Sequence, residues 1–314
     1  MTNPAPAPSA NDGIRPLDPI RWLNQQPYLL LSLAALFWAG NIVLGRYVAG
    51  HVPPMTLSCI RWIGACLMLL PFAWPHLKQD WPVLRGRLPL MLALSATGFA
   101  INNALSYWGL QFTQALNALL IQSSAPLFVA LWALVLFSVR LTWAQLAGIA
   151  LSLGGVLTII LRGDLAALAA IRLNLGDLMM TGALVAFGLY SALMLRRPAT
   201  HQLSLICFTT ACGALLLLPL SIWEYANGIR LQFDTTTMIT LIYVVIFPST
   251  LAYLFFNRGI AVIGPNRAAP FFHLVPVFGS AMAILLLGEE PRLFHLAGYV
   301  MVIAGVVIAS RRTT

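Results

Sequence analysis

Charge is what this sequence has least of. Asp, Glu, Lys and Arg make up 9% of its 314 residues, against roughly a quarter in soluble domains, which excludes an ordinary soluble globular chain. Only nine residues are acidic, and none falls deep in a long apolar run. That excludes an exporter that holds a lipophilic cation on a membrane carboxylate, because a desolvated cation needs a counter-charge. The excess of cations, a formal charge of +9, comes without the basic clusters interleaved with polar surface that nucleic acid binding requires, so no nucleic acid partner is expected. Cysteine is sparse as well. Cys59, Cys66, Cys207 and Cys212 form no CxxC and stand near no His cluster; they are expected to be small apolar packing residues, and no metal is expected. There is no HExxH, no P-loop and no pair of aspartates of the kind that marks metalloproteases or nucleotide hydrolysis. Ser280 and His273 invite a hydrolase reading, yet they lie on one helix with about 10 Å of rise between them, far beyond a hydrogen bond. Neither an enzyme nor a cofactor is expected. A channel would need a charged or carbonyl-lined filter repeated by symmetry, and none is visible.

What remains is apolar, 60% of the chain. Runs near twenty residues cross about 30 Å of hydrocarbon at 1.5 Å per residue. Ten occur, at about 28–49, 56–74, 88–107, 114–137, 142–161, 176–195, 202–221, 238–256, 267–287 and 292–310. Nearly all the mass is therefore expected inside a lipid bilayer. Residues 1–24 are rich in Pro, Ala and Asn and are expected to form a disordered cytoplasmic tail. The first run is too long for a signal-peptide core and follows Asp12 and Asp18, so it is expected to stay as a helix. With the N-terminus inside, twelve of the 18 cations fall on the inner side and five outside, with Arg61 within a span. Cytoplasmic loops accumulate such residues, so both termini are expected in the cytoplasm.

A shift of 150 residues superimposes the chain on itself. Gly109 falls on Gly259, Ala118 on Ala268, Pro126 on Pro276, Phe128 on Phe278, Gly148 on Gly298 and Gly155 on Gly305, without a gap. Each half holds five runs, an odd number, so the second copy must enter the membrane from the opposite side. The expected fold is therefore all-α: ten transmembrane helices arranged as two inverted five-helix repeats, 25–161 and 174–314, around a central cavity. Such architectures place their substrate near mid-membrane.

The stretch 259–307, GIAVIGPNRAAPFFHLVPVFGSAMAILLLGEEPRLFHLAGYVMVIAGVV, has a mid-run Pro-Val, a Leu-Gly-Glu and closing Gly motifs. It resembles the second repeat of the EamA branch of the drug/metabolite transporter superfamily. PPMTLSCIRWIGACLMLL is similar to the Arg-bearing second helix of the same family. Within it the sequence is most similar to YddG-type amino acid exporters of bacterial inner membranes. The resemblance implies export of an amino acid, with an apolar or aromatic side chain suiting the lining; the sequence leaves the oligomeric state open, a monomer included. The first repeat departs from the pattern: Ser138-Val139 stands where the second has Gly288-Glu289, so no acidic role carries over there.

Candidate site residues come from polar groups inside apolar runs, where an unpaired polar group is costly and should face the bundle or a wet cavity. GFAINNALSYWGL carries Asn102, Asn103, Ser106 and Tyr107, with Asn103 and Tyr107 four apart on one helical face. Their mates at +150 are Tyr253 and Asn257, with the types exchanged. The competing reading is hydrogen bonding between helices, and Trp108 suits an interfacial belt. Trp38 and Asn41 form a further candidate wall, with Tyr190 and Ser191 close to their mates. Pro126 and Pro276 fall mid-run, where each frees a carbonyl four residues earlier; those belong to Gln122 and Phe272, beside Ser123, Ser124 and His273. His273 is the only His deep in a run and could take a proton, meet a carboxylate or form a neutral hydrogen bond. Gly98, Pro126, Pro248, Gly264 and Pro276 are the expected hinges. Arg61 is shallow enough to snorkel, or could pair with Asp177, Glu289 or Glu290 in an outer gate. Asn103→Ala, Tyr253→Ala and His273→Ala are each expected to weaken efflux from vesicles while leaving membrane insertion intact; normal export by all three would misplace the site.

Overall fold

The structure is a computed structural model that describes residue 23 and residues 25–137, 143–161, 163, 174–263, 271–272 and 274–310. Among the described residues every regular element is a helix. In chain order they are α1 (Pro27–Tyr47), α2 (Pro54–Gly86), α3 (Leu88–Gly109), α4 (Ala115–Gln122), α5 (Ala125–Phe137), α6 (Trp143–Ile160), α7 (Leu175–Leu193), α8 (Gln202–Ala226), α9 (Thr235–Ile263), α10 (Leu274–Leu287) and α11 (Leu293–Ser310). Among the described residues six helices are long and apolar enough to cross a membrane, and α4 with α5, bent by 42°, makes a seventh if the pair is one span. Shorter apolar helices occupy the runs expected at 142–161, 267–287 and 292–310.

Local chemistry starts several of these helices. Pro27 and Pro54 open α1 and α2, where a missing N–H costs nothing and the fixed φ is already helical. The Asn174 side chain accepts from the Gly176 and Asp177 N–H groups to start α7, and Asp234 accepts from Thr237 N to start α9. α2 outruns its expected 56–74 by a dozen residues and contains Pro71, Pro75 and Pro82. At 33 residues it is about 50 Å long. Its extension persists because Leu84, fully buried, packs with Met91 and Leu94 of α3 and Leu205 and Phe208 of α8, burial that outweighs the hydrogen bonds lost to the prolines.

Two expected kinks are placed differently. Run 114–137 is broken rather than kinked: α4 ends at Gln122 and Pro126 is the second residue of α5, where it has no intrahelical bond to lose. Likewise Pro276 lies in the first turn of α10. The mid-helix irregularities are π-helical turns at Ala96–Ile101 in α3 and Phe247–Leu251 in α9, at equivalent places in the two repeats. Gly98 and Pro248 sit within them.

The packing is symmetric under exchange of halves. α1 packs on α9 as α7 packs on α3, and α1 on α10 as α7 on α4 and α5, while α2 pairs with α8, α6 with α11 and α4 with α10. Cross-contacts also give direction. Glu224 near the end of α8 meets the start of α2, and Asp80 in α2 meets the start of α8, so the two helices are antiparallel. α1 runs from the end of the bundle near Gly86 to the end near Tyr47. α7 begins at the Tyr47 end, where Gly176 touches Gly109, and runs the opposite way. The second half is therefore inverted.

Close approach of small residues holds α6 to α11. A Cβ on Gly155 would lie 2.6 Å from the Gly298 carbonyl oxygen, and one on Gly298 2.8 Å from that of Gly155. Helices in lipid associate through such packing, since apolar side chains gain little from one another there. Gly155→Leu and Gly298→Leu are each expected to cost about 1–3 kcal/mol, measured as a lower unfolding temperature in detergent, whereas Gly86→Leu, with open space around it, should leave that temperature unchanged.

Candidate functional site

Arg61, seven residues into α2, is only 4% exposed. It does not snorkel, and it meets none of Asp177, Glu289 and Glu290. Its Nε donates to Ser249 Oγ at 2.5 Å, and its Nη1 donates to Tyr107 OH at 2.9 Å, Asn103 Oδ1 at 3.0 Å and Asn41 Oδ1 at 3.3 Å. No hydrogen bond from a described residue reaches Nη2. The guanidinium also stacks over Trp62, 4.6 Å from the ring centre. Burying a cation costs several kcal/mol even after relaxation, and here four neutral oxygens from three helices offset it.

Those oxygens are themselves held. Tyr107 OH donates to Asn41 Oδ1 at 2.5 Å, and Asn103 Nδ2 donates to the Phe99 carbonyl at 2.9 Å. Pro248 has no N–H for the Val244 carbonyl, which instead accepts from Ser249 Oγ, five residues on. The π turn thus aims the Ser249 oxygen at Arg61. Each π turn also presents a carbonyl to an indole: Trp62 Nε1 donates to Phe99 O at 3.0 Å and Trp38 Nε1 to Pro248 O at 3.2 Å. Gly98 is required by packing, since a Cβ there would lie 2.4 Å from the Tyr190 ring.

Beside the polar cluster stands an aromatic wall. Trp38 stacks on Phe272 with planes 4° apart, meets Tyr253 edge-on at 5.8 Å and packs on Phe256. Trp62 and Tyr190 both contact Phe99 edge-on. Of the candidate residues, Trp38, Asn41, Asn103, Tyr107 and Tyr253 thus converge around Arg61 and Trp62. Asn102, Gln122 and Asn257 are half-buried and make no side-chain hydrogen bond to the cluster. Ser123 turns its hydroxyl back to the Leu120 carbonyl. His273 and Gly264 lie outside the described residues. The residues missed by sequence were Ser249 and Arg61 as a buried centre; the signal available was Arg61's place within an apolar run.

Carboxylates close the Tyr47 end. Glu224 accepts from the Met55 and Thr56 N–H groups at 2.9 and 2.8 Å, and Glu289 from Ala115 and Leu116 at 2.8 Å each, so each caps a helix of the other half and meets its positive end. Asp177, fully buried, accepts from Thr113 Oγ1 and Asn117 Nδ2, and Asn117 Oδ1 contacts His295 Nε2 at 2.8 Å. Asp234 pairs with His51 at 2.7 Å, and the Thr237 N–H holds its carboxyl below the usual range. A polar cleft of about 760 Å³ lined by Arg46, Gln114, Glu289 and Arg292 opens nearby, and none of its lining residues belongs to the Arg61 cluster.

Known proteins place this arrangement. The EamA-like transporter family matches residues 25–161 and 174–311. The chain belongs to that family. This EamA protein is similar to an uncharacterized transporter of Archaeoglobus fulgidus, 28% identical over 92% of this chain and 99% of the relative. The "Probable amino-acid metabolite efflux pump" of Salmonella typhimurium is 29% identical over 91% and 95% of the two chains. The "Probable terminal-alkyne amino-acid exporter" of Streptantibioticus cattleyicolor is 29% identical over 72% and 74%. A solved crystal structure shares the fold with a TM-score of 0.57 at 18% identity, over 91% of this chain and 98% of that one. The EamA protein is thus an integral membrane transporter of a small molecule and not an enzyme.

Asn103→Leu removes an acceptor from the buried guanidinium and the donor to Phe99 O. It is expected to destabilise the detergent-solubilised transporter by about 1–3 kcal/mol, while Asn257→Leu should leave its unfolding temperature unchanged.

Proposed function

We propose that this transporter exports amino acids with apolar or aromatic side chains across a bacterial inner membrane, by exposing one site alternately to each side. Its ten helices are two inverted sets of five, with the Tyr47 end outside and both termini in the cytoplasm, as the distribution of cations favours. The observation that carries the reading is a buried guanidinium whose partners are all neutral, one turn of α1 away from a wall of aromatic rings. A substrate carboxylate completes the guanidinium's charge, and the rings take up an apolar side chain. The printed names of the Salmonella and Streptantibioticus relatives support the substrate class.

Alternating access needs elements with two arrangements. Contacts made by Glu224 and Glu289 with helix starts of the opposite half support an outer gate that parts when they release. The π turns at Gly98 and Pro248 interrupt regular α-helical bonding, the kind of irregularity found at functional positions, and support hinges there. The runner-up is export of another neutral or zwitterionic metabolite, favoured if the panel below excludes amino acids.

Counterflow of labelled phenylalanine into vesicles holding purified protein and unlabelled amino acids tests the proposal, repeated with and without a pH gradient. Accumulation above protein-free vesicles is expected, and Arg61→Gln is expected to lower it by at least about tenfold, the loss of roughly 1.4 kcal/mol or more of binding. Absence of counterflow across a full panel of apolar and aromatic amino acids would overturn it.

A further inference from the structure

We infer that the Arg61 site selects a carboxylate attached to an apolar or aromatic group and does not require an α-ammonium, so that its substrates extend to monocarboxylates that lack an amino group. The inference rests on the reading of the Arg61 cluster as the substrate site, and it states which groups of the substrate that site recognises.

The charge balance carries it. Arg61 is a guanidinium, a donor with no acceptor atom, and its hydrogen-bond partners Asn41, Asn103, Tyr107 and Ser249 are neutral. Among the described residues no carboxylate meets the cation, and none of them bonds Nη2. Nε and Nη1 are held by Ser249, Asn41, Asn103 and Tyr107, so the two N–H groups of Nη2 are the ones left for a carboxylate, in a charge-assisted hydrogen bond. An ammonium has no comparable partner. Among the described residues each acid is engaged elsewhere: Asp80 at the start of α8, Asp177 with Thr113 and Asn117, Glu224 at the start of α2, Asp234 with His51, Glu289 at the start of α4 and Glu290 with Arg292. A zwitterion entering this cluster brings one cation to another, and its ammonium finds only hydroxyl and amide oxygens or ring faces. Those contacts are worth less than the hydration they replace unless geometry is favourable.

The apolar part of the substrate has a defined surface. Trp38 lies three residues before Asn41 on α1, so the rings of Trp38 and Phe272 stand one helical turn from the charge. An aryl or branched alkyl group two or three bonds from a carboxylate spans that separation. Binding energy then comes from one ion pair and from ring burial, both indifferent to an amino group between them.

The test is competition for labelled phenylalanine counterflow at pH 8, where simple carboxylic acids are ionised and cross lipid slowly. Four unlabelled compounds are compared: phenylalanine, 3-phenylpropanoate, phenylpyruvate and 2-phenylethylamine, with protein-free vesicles as the leak control. The two acids are expected to compete at concentrations equal to or below that of phenylalanine, and the amine to need at least about tenfold more. Arg61→Lys, which keeps the charge but loses the fork, is expected to weaken all three carboxylates together while leaving the amine unchanged. Competition by phenylalanine alone, or an amine as effective as the acids, overturns the inference and leaves the amino acid reading standing. If phenylalanine gives no counterflow, labelled 3-phenylpropanoate replaces it as the counterflow substrate. Exchange of that acid with no exchange of phenylalanine overturns the amino acid reading and upholds the inference; silence from every compound overturns both.

Discussion

A guanidinium that cannot shed its proton, taken out of water among apolar helices, is the constraint around which this bundle is arranged. Arg61 enters on α2, and its acceptors come from α1, α3 and α9, so both halves contribute to one buried charge. Removing the Ser249 oxygen leaves the Nε–H of Arg61 stranded, which costs more than an ordinary hydrogen bond contributes. The demand reaches into backbone geometry. α9 gives up regular α-helical bonding at Pro248, and the released Val244 carbonyl takes the Ser249 hydroxyl, which in turn receives Arg61. A local irregularity that would weaken a helix in isolation thereby serves a contact between the halves.

Charge is managed differently at the ends of the bundle. Glu224 caps α2 and Asp80 reaches the start of α8, a reciprocal exchange between equivalent helices. Glu289 caps α4, and the position 150 residues earlier holds Val139. The Tyr47 end therefore has a carboxylate tie that the repeat does not mirror. An inverted repeat needs such asymmetry to make its two faces energetically unlike, because identical gates would leave no preference between the two arrangements.

Much of the architecture was legible in the sequence. The apolar runs mark the helices because hydrocarbon leaves the backbone no partner but itself, and the odd number of runs per repeat sets the inversion. The polar residues Asn41, Asn103 and Tyr107 stood out because little else in those runs could hydrogen-bond. Their partner did not. Arg61 looked shallow when counted from the start of its own helix, and its contact with Ser249, nearly two hundred residues away in sequence, is invisible to spacing. One proline misled for a related reason: Pro126 falls mid-run by count, yet the helix restarts just before it, since a run of apolar residues records burial in lipid and not continuity of hydrogen bonding. Asn103 and Tyr107 accept from Arg61, whereas their repeat mates Tyr253 and Asn257 have no such centre to bond. The position 150 residues after Arg61 holds Ala211, so the second half carries no cation at the equivalent place.

The sequence by itself determined the solvent in which this protein lives, the number of times its chain was expected to traverse it and the inverted relation of its halves, because hydropathy, loop charge and internal repetition are properties of the chain that lipid reads directly. Only the tertiary structure decided which of the polar residues meet, that an arginine sits at their centre, and which helix starts are tied by carboxylates. Those contacts join positions far apart in sequence, and the cost of burying each group alone is what forces them together.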